Sequence, residues 1–191
     1  MKKLPKIITK SEFQQLLDYT IKVKPRHWKE KSIAMLLGFE AGMRISEIVG
    51  LSFPKQSNSD PTLCAKNWKI PPLTKDNISI EKNMIRIEGG KGGKDRVVPL
   101  PKRFKPSYLS LLPLSIGRRG LQEYITTIGR KVLNKEITFH TLRHGFGSHL
   151  AGLGYPLHQI QMLMGHSRLD TTGIYLHANP QSTVNEAREL F

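Results

Sequence analysis

The chain has 191 residues and a formal net charge of +15, from 30 Lys and Arg residues against 15 Asp and Glu residues. Its one cysteine excludes an internal disulfide and a cysteine-rich zinc site, and no apolar run approaches the roughly 18 residues of a membrane-spanning helix. The basic excess is larger than solubility requires and favours a nucleic-acid partner. We expect a cytoplasmic protein without a membrane segment, associated with nucleic acid.

The chain opens with two predicted helices. Thr9 and Glu12 fit a capping box, and the apolar residues behind them repeat at helical spacing. A second helix is predicted over residues 28–41, with Gly42 at its end. This length and pattern suit one compact domain, or one domain plus a tail.

Arg44 lies at the next helix break, in the string A-G-M-R-I-S-E-I-V-G-L, before a third predicted helix that runs through Leu51. Glu47 follows one turn later, where its carboxylate can orient the Arg44 guanidinium. On local sequence alone, a solvated arginine at the start of an amphipathic helix is the alternative.

A proline-rich segment and a small antiparallel sheet follow. Residues 54–72 contain four prolines and no usable periodicity, so we predict an inserted loop that folds over the sheet or contacts DNA. Residues 77–80 and 84–87 alternate as two strands around a turn, and R-V-V-P-L at 96–100 supplies a third.

A glycine-rich connection, G-G-K-G-G-K-D, joins the second and third strands. Its glycines permit a tight loop that lifts Lys91 clear of the sheet. The nucleotide-binding pattern G-x-x-x-x-G-K-[ST] is absent from the sequence. Out of context, a lysine in such a turn is usually a solvated charge.

Basic residues also mark the helix predicted over residues 115–133, which follows a proline-bounded connection with a short helical piece at 108–112. We predict DNA-backbone contacts from the basic residues of this helix and of the sheet. Solvated surface charge is the alternative for each of them. They are Lys94, Arg96, Arg118, Arg119, Arg130 and Lys131.

The segment 138–177 concentrates four chemically active side chains: His140, Arg143, His166 and Tyr175. A helix is predicted over 139–151, with His140 and Arg143 on one face. Two imidazoles, a guanidinium and a phenol can bind an anionic phosphate and attack it.

Two glycines, at positions 152 and 154, end that helix, and Pro156 can begin another that stops at Gly165. No carboxylate cluster is interleaved with the four side chains, so we predict neither a metal-ion site nor a cofactor. His144 lies four residues after His140, but H-E-x-x-H and a third ligand at a recognisable spacing are missing, which favours a supporting role for His144.

Together these motifs closely resemble the tyrosine recombinases, the family of Xer proteins and phage integrases. The resemblance rests on H-x-x-R, on L-M-G-H-x-x-x-x-T-T-x-x-Y with its trailing His177, and on the Arg44 string, which is similar to the family's first arginine box. G-K-G-x-K-x-R-x-V-P at 90–99 is similar to the catalytic-lysine hairpin and selects Lys91 over Lys94. The resemblance covers residues 5–175 and implies a mainly α fold with a small three-stranded antiparallel sheet.

The resemblance implies a site-specific recombinase or integrase that breaks and rejoins double-stranded DNA without metal or ATP. Tyr175 would attack a phosphodiester and form a 3′-phosphotyrosyl link. Arg44 and Arg143 would clamp the non-bridging oxygens, to which His166 would also donate. Lys91 would protonate the leaving 5′-oxygen, and His140 would accept or position the phenolic proton.

Two alternatives remain on sequence: a type IB topoisomerase, which uses much the same residues, and a DNA-binding protein without catalysis. We predict a catalytic domain over residues 1–178 with no helical core-binding domain before it. Residues 179–191 are predicted to form a tail helix with an apolar face. By resemblance this helix would dock on a neighbouring protomer of a dimer or tetramer on DNA, and packing on its own domain is the alternative.

Overall fold

A computed structural model describes residues 7–52, 68–89 and 95–165 of the chain. These residues form a mainly helical domain with two small antiparallel sheets, which are the predicted three-stranded sheet and a two-stranded pair. The helices are α1 Lys10–Val23, α2 Trp28–Glu40, α3 Ile45–Val49, α4 Arg118–Leu133, α5 Phe139–Gly152 and α6 Leu157–Met164. The strands are β1 Leu51–Ser52, β2 Trp68–Ile70, β3 Ile78–Ser79, β4 Met84–Ile87 and β5 Arg96–Pro99.

The first helix begins with the predicted capping box. The Thr9 hydroxyl accepts a hydrogen bond from the Glu12 backbone N–H at 3.2 Å, and the Glu12 carboxylate accepts one from the Thr9 N–H at 2.9 Å. These two bonds satisfy donors that the first helical turn leaves unpaired. The boundary of α1 is therefore set by local sequence.

The second helix forms the centre of the core. Every side chain from Ser32 to Phe39 is buried, because α2 packs against both α1 and α5. The Phe13 ring of α1 stacks on the Phe39 ring with 4.2 Å between centroids. The end of α2, which leads into Arg44, is thus held by packing on two sides.

Strands β3, β4 and β5 form the predicted sheet, in that order and antiparallel, with Ile85 opposite Val98. Strands β1 and β2 form a separate pair in which Leu51 is opposite Ile70. Two expectations need correction here. Leu51 begins a strand because it pairs with β2, so the third helix ends at Val49, and Trp68–Ile70 is a strand although the whole of 54–72 was predicted as a loop.

The fourth helix begins at Arg118, three residues later than predicted, after a 3₁₀ turn at Pro106–Leu111. The N–H groups of Ser115 and Ile116 donate to the Glu30 carboxylate at 2.6 and 3.0 Å. These residues are held against the start of α2 and do not join the helix. Within the described ranges, no helix is both long and apolar enough to cross a membrane.

Candidate active site

Three guanidinium groups from distant parts of the chain donate hydrogen bonds to the C-terminal end of α6. Arg96 Nε donates to the Leu163 carbonyl at 3.0 Å, and Arg44 Nη2 donates to the Gly165 carbonyl at 3.0 Å. Between these two acceptors, the Met164 carbonyl accepts from Arg143 Nη2.

These three acceptors are consecutive carbonyls at the end of a helix, where they lack intrahelical partners and carry the negative end of the helix dipole. Three positively charged side chains can therefore donate hydrogen bonds to the negatively polarised end of this helix. Gly165 ends the helix with a left-handed backbone, at φ +58° and ψ 48°. The predicted His166 comes next in the chain.

Arg44 lies at the N-terminus of α3, between the end of α6 and Glu47. Its Nη1 donates to Glu47 Oε1 at 2.9 Å, and its backbone N–H donates to Glu47 Oε2 at 2.7 Å. The Arg44 side chain is 21% exposed. Its guanidinium is thus anchored by protein oxygens, while the side chain as a whole remains partly exposed.

Glu47 has a fully buried side chain that is shared by two arginines. Arg96 Nη1 and Nη2 donate to its two oxygens at 2.7 and 2.8 Å, in a bidentate pair, in addition to the bonds from Arg44. Burial alone would raise the pKa of Glu47, but the hydrogen bonds and charge of Arg96, with a smaller contribution from Arg44, lower that pKa to about 2. The carboxylate is therefore ionised at neutral pH.

Arg143 projects from α5 and is 1% exposed. Its Nη1 donates to the Gly42 carbonyl at the end of α2, and its Nη2 to Met164. The guanidinium therefore bridges the segment before Arg44 and the segment before His166. The helix that carries it begins with Thr138, whose hydroxyl accepts from the Thr141 N–H at 3.3 Å.

His140 and His144 lie one turn apart on α5, with ring centroids 4.2 Å apart and an interplanar angle of 73°. Partial desolvation, followed by the charges of Arg143 and Arg44, lowers the pKa of His140, although one side of this residue remains exposed. Burial, His140 and Arg143 lower the pKa of His144 to about 4. Both rings are therefore neutral at neutral pH and can accept a proton.

The chain is similar to known recombinases over most of its length. It is 32% identical to the tyrosine recombinase XerA of Thermococcus kodakarensis over 189 residues, which are 90% of this chain and 58% of that protein. The XerA of Pyrococcus furiosus is 33% identical over 197 residues, with the same 58% of that protein covered. The model of the phage integrase family matches residues 113–182. Its matches are thus tyrosine recombinases over most of the chain and the phage integrase family over residues 113–182.

Solved structures of recombinases share the fold of this chain. The crystal structure of a XerA recombinase matches with a TM-score of 0.68 at 21% identity, over 99% of this chain and 66% of that one. The catalytic domain of bacteriophage HP1 integrase matches with a TM-score of 0.55 at 18% identity, over 90% of this chain and 86% of that one. The chain thus spans less than two thirds of the length of the curated relatives described above.

Arg96, which we predicted to contact DNA, lies mostly buried in the domain. Its side chain is only 8% exposed, and all three of its guanidinium nitrogens donate to protein oxygens. The alternation of β5 explains this position, because Arg96 shares a strand face with the buried Val98. That alternation is the signal in the sequence that could have placed Arg96 inward.

The four basic residues predicted on α4 lie on the surface of the domain. Arg119 Nε donates to Glu123 at 2.7 Å and Arg130 Nη2 donates to Glu136 at 2.7 Å. Arg118 is exposed, and Lys131 Nζ lies 5.6 Å from the centroid of the Tyr19 ring. The two pairs are separated by about 18 Å along the helix, so they do not form one cluster.

The remaining predicted site residues lie outside the described residues. These are Lys91 and Lys94 of the glycine-rich connection, His166, Tyr175, and the tail at 179–191. Among the residues that are described, no group of three His, Cys, Asp or Glu side chains lies close enough to hold a metal ion.

Proposed function

We propose that the domain belongs to a site-specific recombinase that breaks and rejoins double-stranded DNA through a 3′-phosphotyrosyl intermediate, with Tyr175 as the nucleophile. The observation that carries this proposal is the meeting of Arg44 and Arg143 on the adjacent carbonyls of Gly165 and Met164. Two fixed positive charges there face the chain position that leads into His166. A XerH recombinase has been solved bound to its difH substrate before and after cleavage, which supports the same substrate class here.

The two arginines stabilise the negative charge of the phosphodiester. Arg44 has a partly exposed side chain and can donate N–H groups to a non-bridging oxygen, as charge-assisted hydrogen bonds. Arg143 adds a second positive charge in surroundings from which water is largely excluded. Preorganised charge of this kind stabilises the pentacoordinate transition state because no reorganisation is needed during the reaction.

The other groups move protons. The Tyr175 oxygen bonds to phosphorus as the bond from phosphorus to the 5′-oxygen breaks. His140, neutral at the start because its pKa is lowered, accepts or positions the phenolic proton. Lys91 gives a proton to the departing 5′-oxygen, and His166 donates to the non-bridging oxygens. A 5′-hydroxyl from another strand reverses these steps and rejoins the DNA.

We also propose that a dimer or tetramer assembles on DNA, with the tail at 179–191 docking on a neighbouring protomer. The apolar face of the predicted tail helix supports this arrangement. Deleting residues 181–191 should reduce assembly on paired DNA sites in a sedimentation experiment. Unchanged assembly would contradict docking in trans, and loss of the fold would instead favour packing in cis.

A suicide substrate tests the reaction itself. A nick placed just beyond the scissile phosphate lets the short 5′-hydroxyl fragment diffuse away, which traps the covalent adduct on a denaturing gel. Tyr175→Phe keeps the ring and should bind DNA nearly as well without forming the adduct. Adduct formation by the Phe variant would place the nucleophile elsewhere, and no adduct from the unaltered chain would contradict the proposal.

Product analysis then separates strand exchange from relaxation. With two labelled duplexes that carry the site, a recombinase gives recombinant strands that contain one segment of each. A type IB topoisomerase would instead relax a supercoiled plasmid while the two duplexes keep their own strands.

A further inference from the structure

The Glu47 carboxylate carries a complete set of hydrogen bonds within the protein. Oε1 accepts from Arg44 Nη1 and Arg96 Nη1, and Oε2 accepts from the Arg44 backbone N–H and Arg96 Nη2. A carboxylate offers about four lone-pair positions, so these four donors occupy them all. Arg96 supplies two of the four.

The charges of this cluster do not cancel. Two guanidinium groups share one carboxylate, so Arg44, Glu47 and Arg96 together carry a net charge of +1, from +1 −1 +1. If Arg96 were absent, the buried Glu47 would pair with Arg44 alone and the pair would be neutral. A neutral pair attracts a phosphate much less than a positive cluster does.

We propose that Arg96 is a positioning residue that neutralises Glu47, so that Arg44 keeps its positive charge and its orientation for the scissile phosphate. This inference rests on the proposed function. It replaces the role in direct DNA contact that the sequence favoured for Arg96.

A third bond extends this role to the end of α6. Arg96 Nε donates to the Leu163 carbonyl, two residues before the Gly165 carbonyl that accepts from Arg44. A Cβ atom on Gly165 would lie 2.9 Å from Arg96 Cδ, so the side chain packs directly on the backbone of this turn. Arg96 thus holds both the carboxylate and the backbone to which Arg44 is bound.

The test compares Arg96→Gln, Arg96→Lys and the control Arg103→Gln. Arg103 also pairs with a glutamate, Glu40, to which its Nε donates at 2.9 Å, so the control removes another, more exposed Arg–Glu ion pair. Cleavage of the suicide substrate is measured in single turnover at saturating DNA, together with the Kd for DNA and the thermal unfolding midpoint.

We expect Arg96→Gln to slow cleavage about 10- to 100-fold, by analogy with the loss of groups that orient metal ligands. Its Kd for DNA should stay within about threefold, because Arg96 is buried, and Arg103→Gln should cleave normally. Arg96→Lys keeps the charge but not the bidentate geometry, so its cleavage rate should lie between that of Arg96→Gln and that of the unaltered chain. This variant carries the test if Arg96→Gln does not fold.

Charge compensation gives a further readout that a purely structural role would not produce. Arg96→Gln combined with Glu47→Gln removes one positive and one negative charge, which restores the net charge of +1. The double variant should therefore cleave faster than Arg96→Gln alone. If the folded double variant is no faster, the charge argument is wrong.

Two other results would overturn the role of Arg96. If Arg96→Gln weakens DNA binding but cleaves at the normal rate once saturated, Arg96 is a DNA contact. If Arg103→Gln is equally slow, the effect is a general loss of stability. Absence of any adduct from the unaltered chain is a different outcome, because it contradicts the proposed function and the role of Arg96 with it.

Discussion

The Arg44 guanidinium donates to the Gly165 carbonyl at 3.0 Å, although the two residues are 121 positions apart in the chain. This bond joins the N-terminus of α3 to the C-terminus of α6. The first predicted catalytic arginine is thereby attached to the residue that precedes the predicted His166. This hydrogen bond and the Arg143 bridge between the Gly42 and Met164 carbonyls together set the spacing between these two parts of the site.

Lys91→Ala should slow cleavage of ordinary DNA by about two to four orders of magnitude if Lys91 supplies the proton for the leaving oxygen. A substrate with sulfur at the 5′-bridging position should react almost normally, because a thiolate leaves without a proton. The ratio of the two single-turnover rates measures the acid role. Equal defects on both substrates would show that Lys91 only binds, or that Lys94 is the acid.

Gly165→Ala should damage both stability and cleavage. The left-handed backbone at φ +58° costs an alanine about 1 kcal/mol, and the added Cβ would meet Arg96 Cδ at 2.9 Å. Gly154→Ala is a matched control, because Gly154 also has a positive φ, +74°, but its Cβ would meet nothing within 4 Å. Urea unfolding should show a loss in both variants, while suicide-substrate cleavage should fall about tenfold or more only for Gly165→Ala. Equal cleavage by both would mean that the Arg96 contact is dispensable.

Glu47→Gln should change how the stability of the fold depends on pH. The pKa of Glu47 is about 2 in the folded chain against an ordinary 4.5, so the ionised form stabilises the fold above pH 4.5. This contribution, on the order of 3 kcal/mol, is lost as pH falls from 4.5 toward 2. Urea unfolding at several pH values should show a large difference in the free energy of unfolding between the unaltered chain and Glu47→Gln at pH 6. This difference should be smaller at pH 3. A difference that is constant with pH would contradict the assignment.

His144 should make the stability of the fold depend on pH between about 6.5 and 4. Its pKa is about 4 when folded against 6.5 for an ordinary histidine, so the unfolded chain binds a proton first as pH falls. Stability should therefore decrease from pH 6.5 to pH 4, by at most about 3 kcal/mol. His144→Asn should show a smaller decrease, whereas His158→Asn, on the exposed surface of α6, should behave like the unaltered chain. The same pH dependence in all three proteins would rule out His144 as the source.

Local signals explain which parts of the molecule were predictable. The Thr9 capping box, the strand pattern around Ile85 and the glycine end of α6 at Gly165 follow from residues near each other in sequence, and the structure agrees with them. The resemblance to recombinases likewise depends on short motifs and their order. Each of these features can be read without knowing which distant segments meet.

The partners of Arg96 show what could not be predicted in this way. Its partners are a side chain 49 positions before it and a backbone carbonyl 67 positions after it. A carbonyl acceptor leaves no signature in the sequence, since every residue has one. The pairing of β1 with β2 was missed for a similar reason, because strands of two and three residues are too short to show alternation.

The cluster at the end of α6 also has a consequence for the order of folding. Its acceptors lie within three consecutive residues, but its donors are separated from them by 21, 67 and 121 positions. Contacts of such long range form only after the intervening chain has been brought together. A partly folded chain therefore cannot hold all three arginines in place, so the proposed DNA cleavage should appear only when folding is complete.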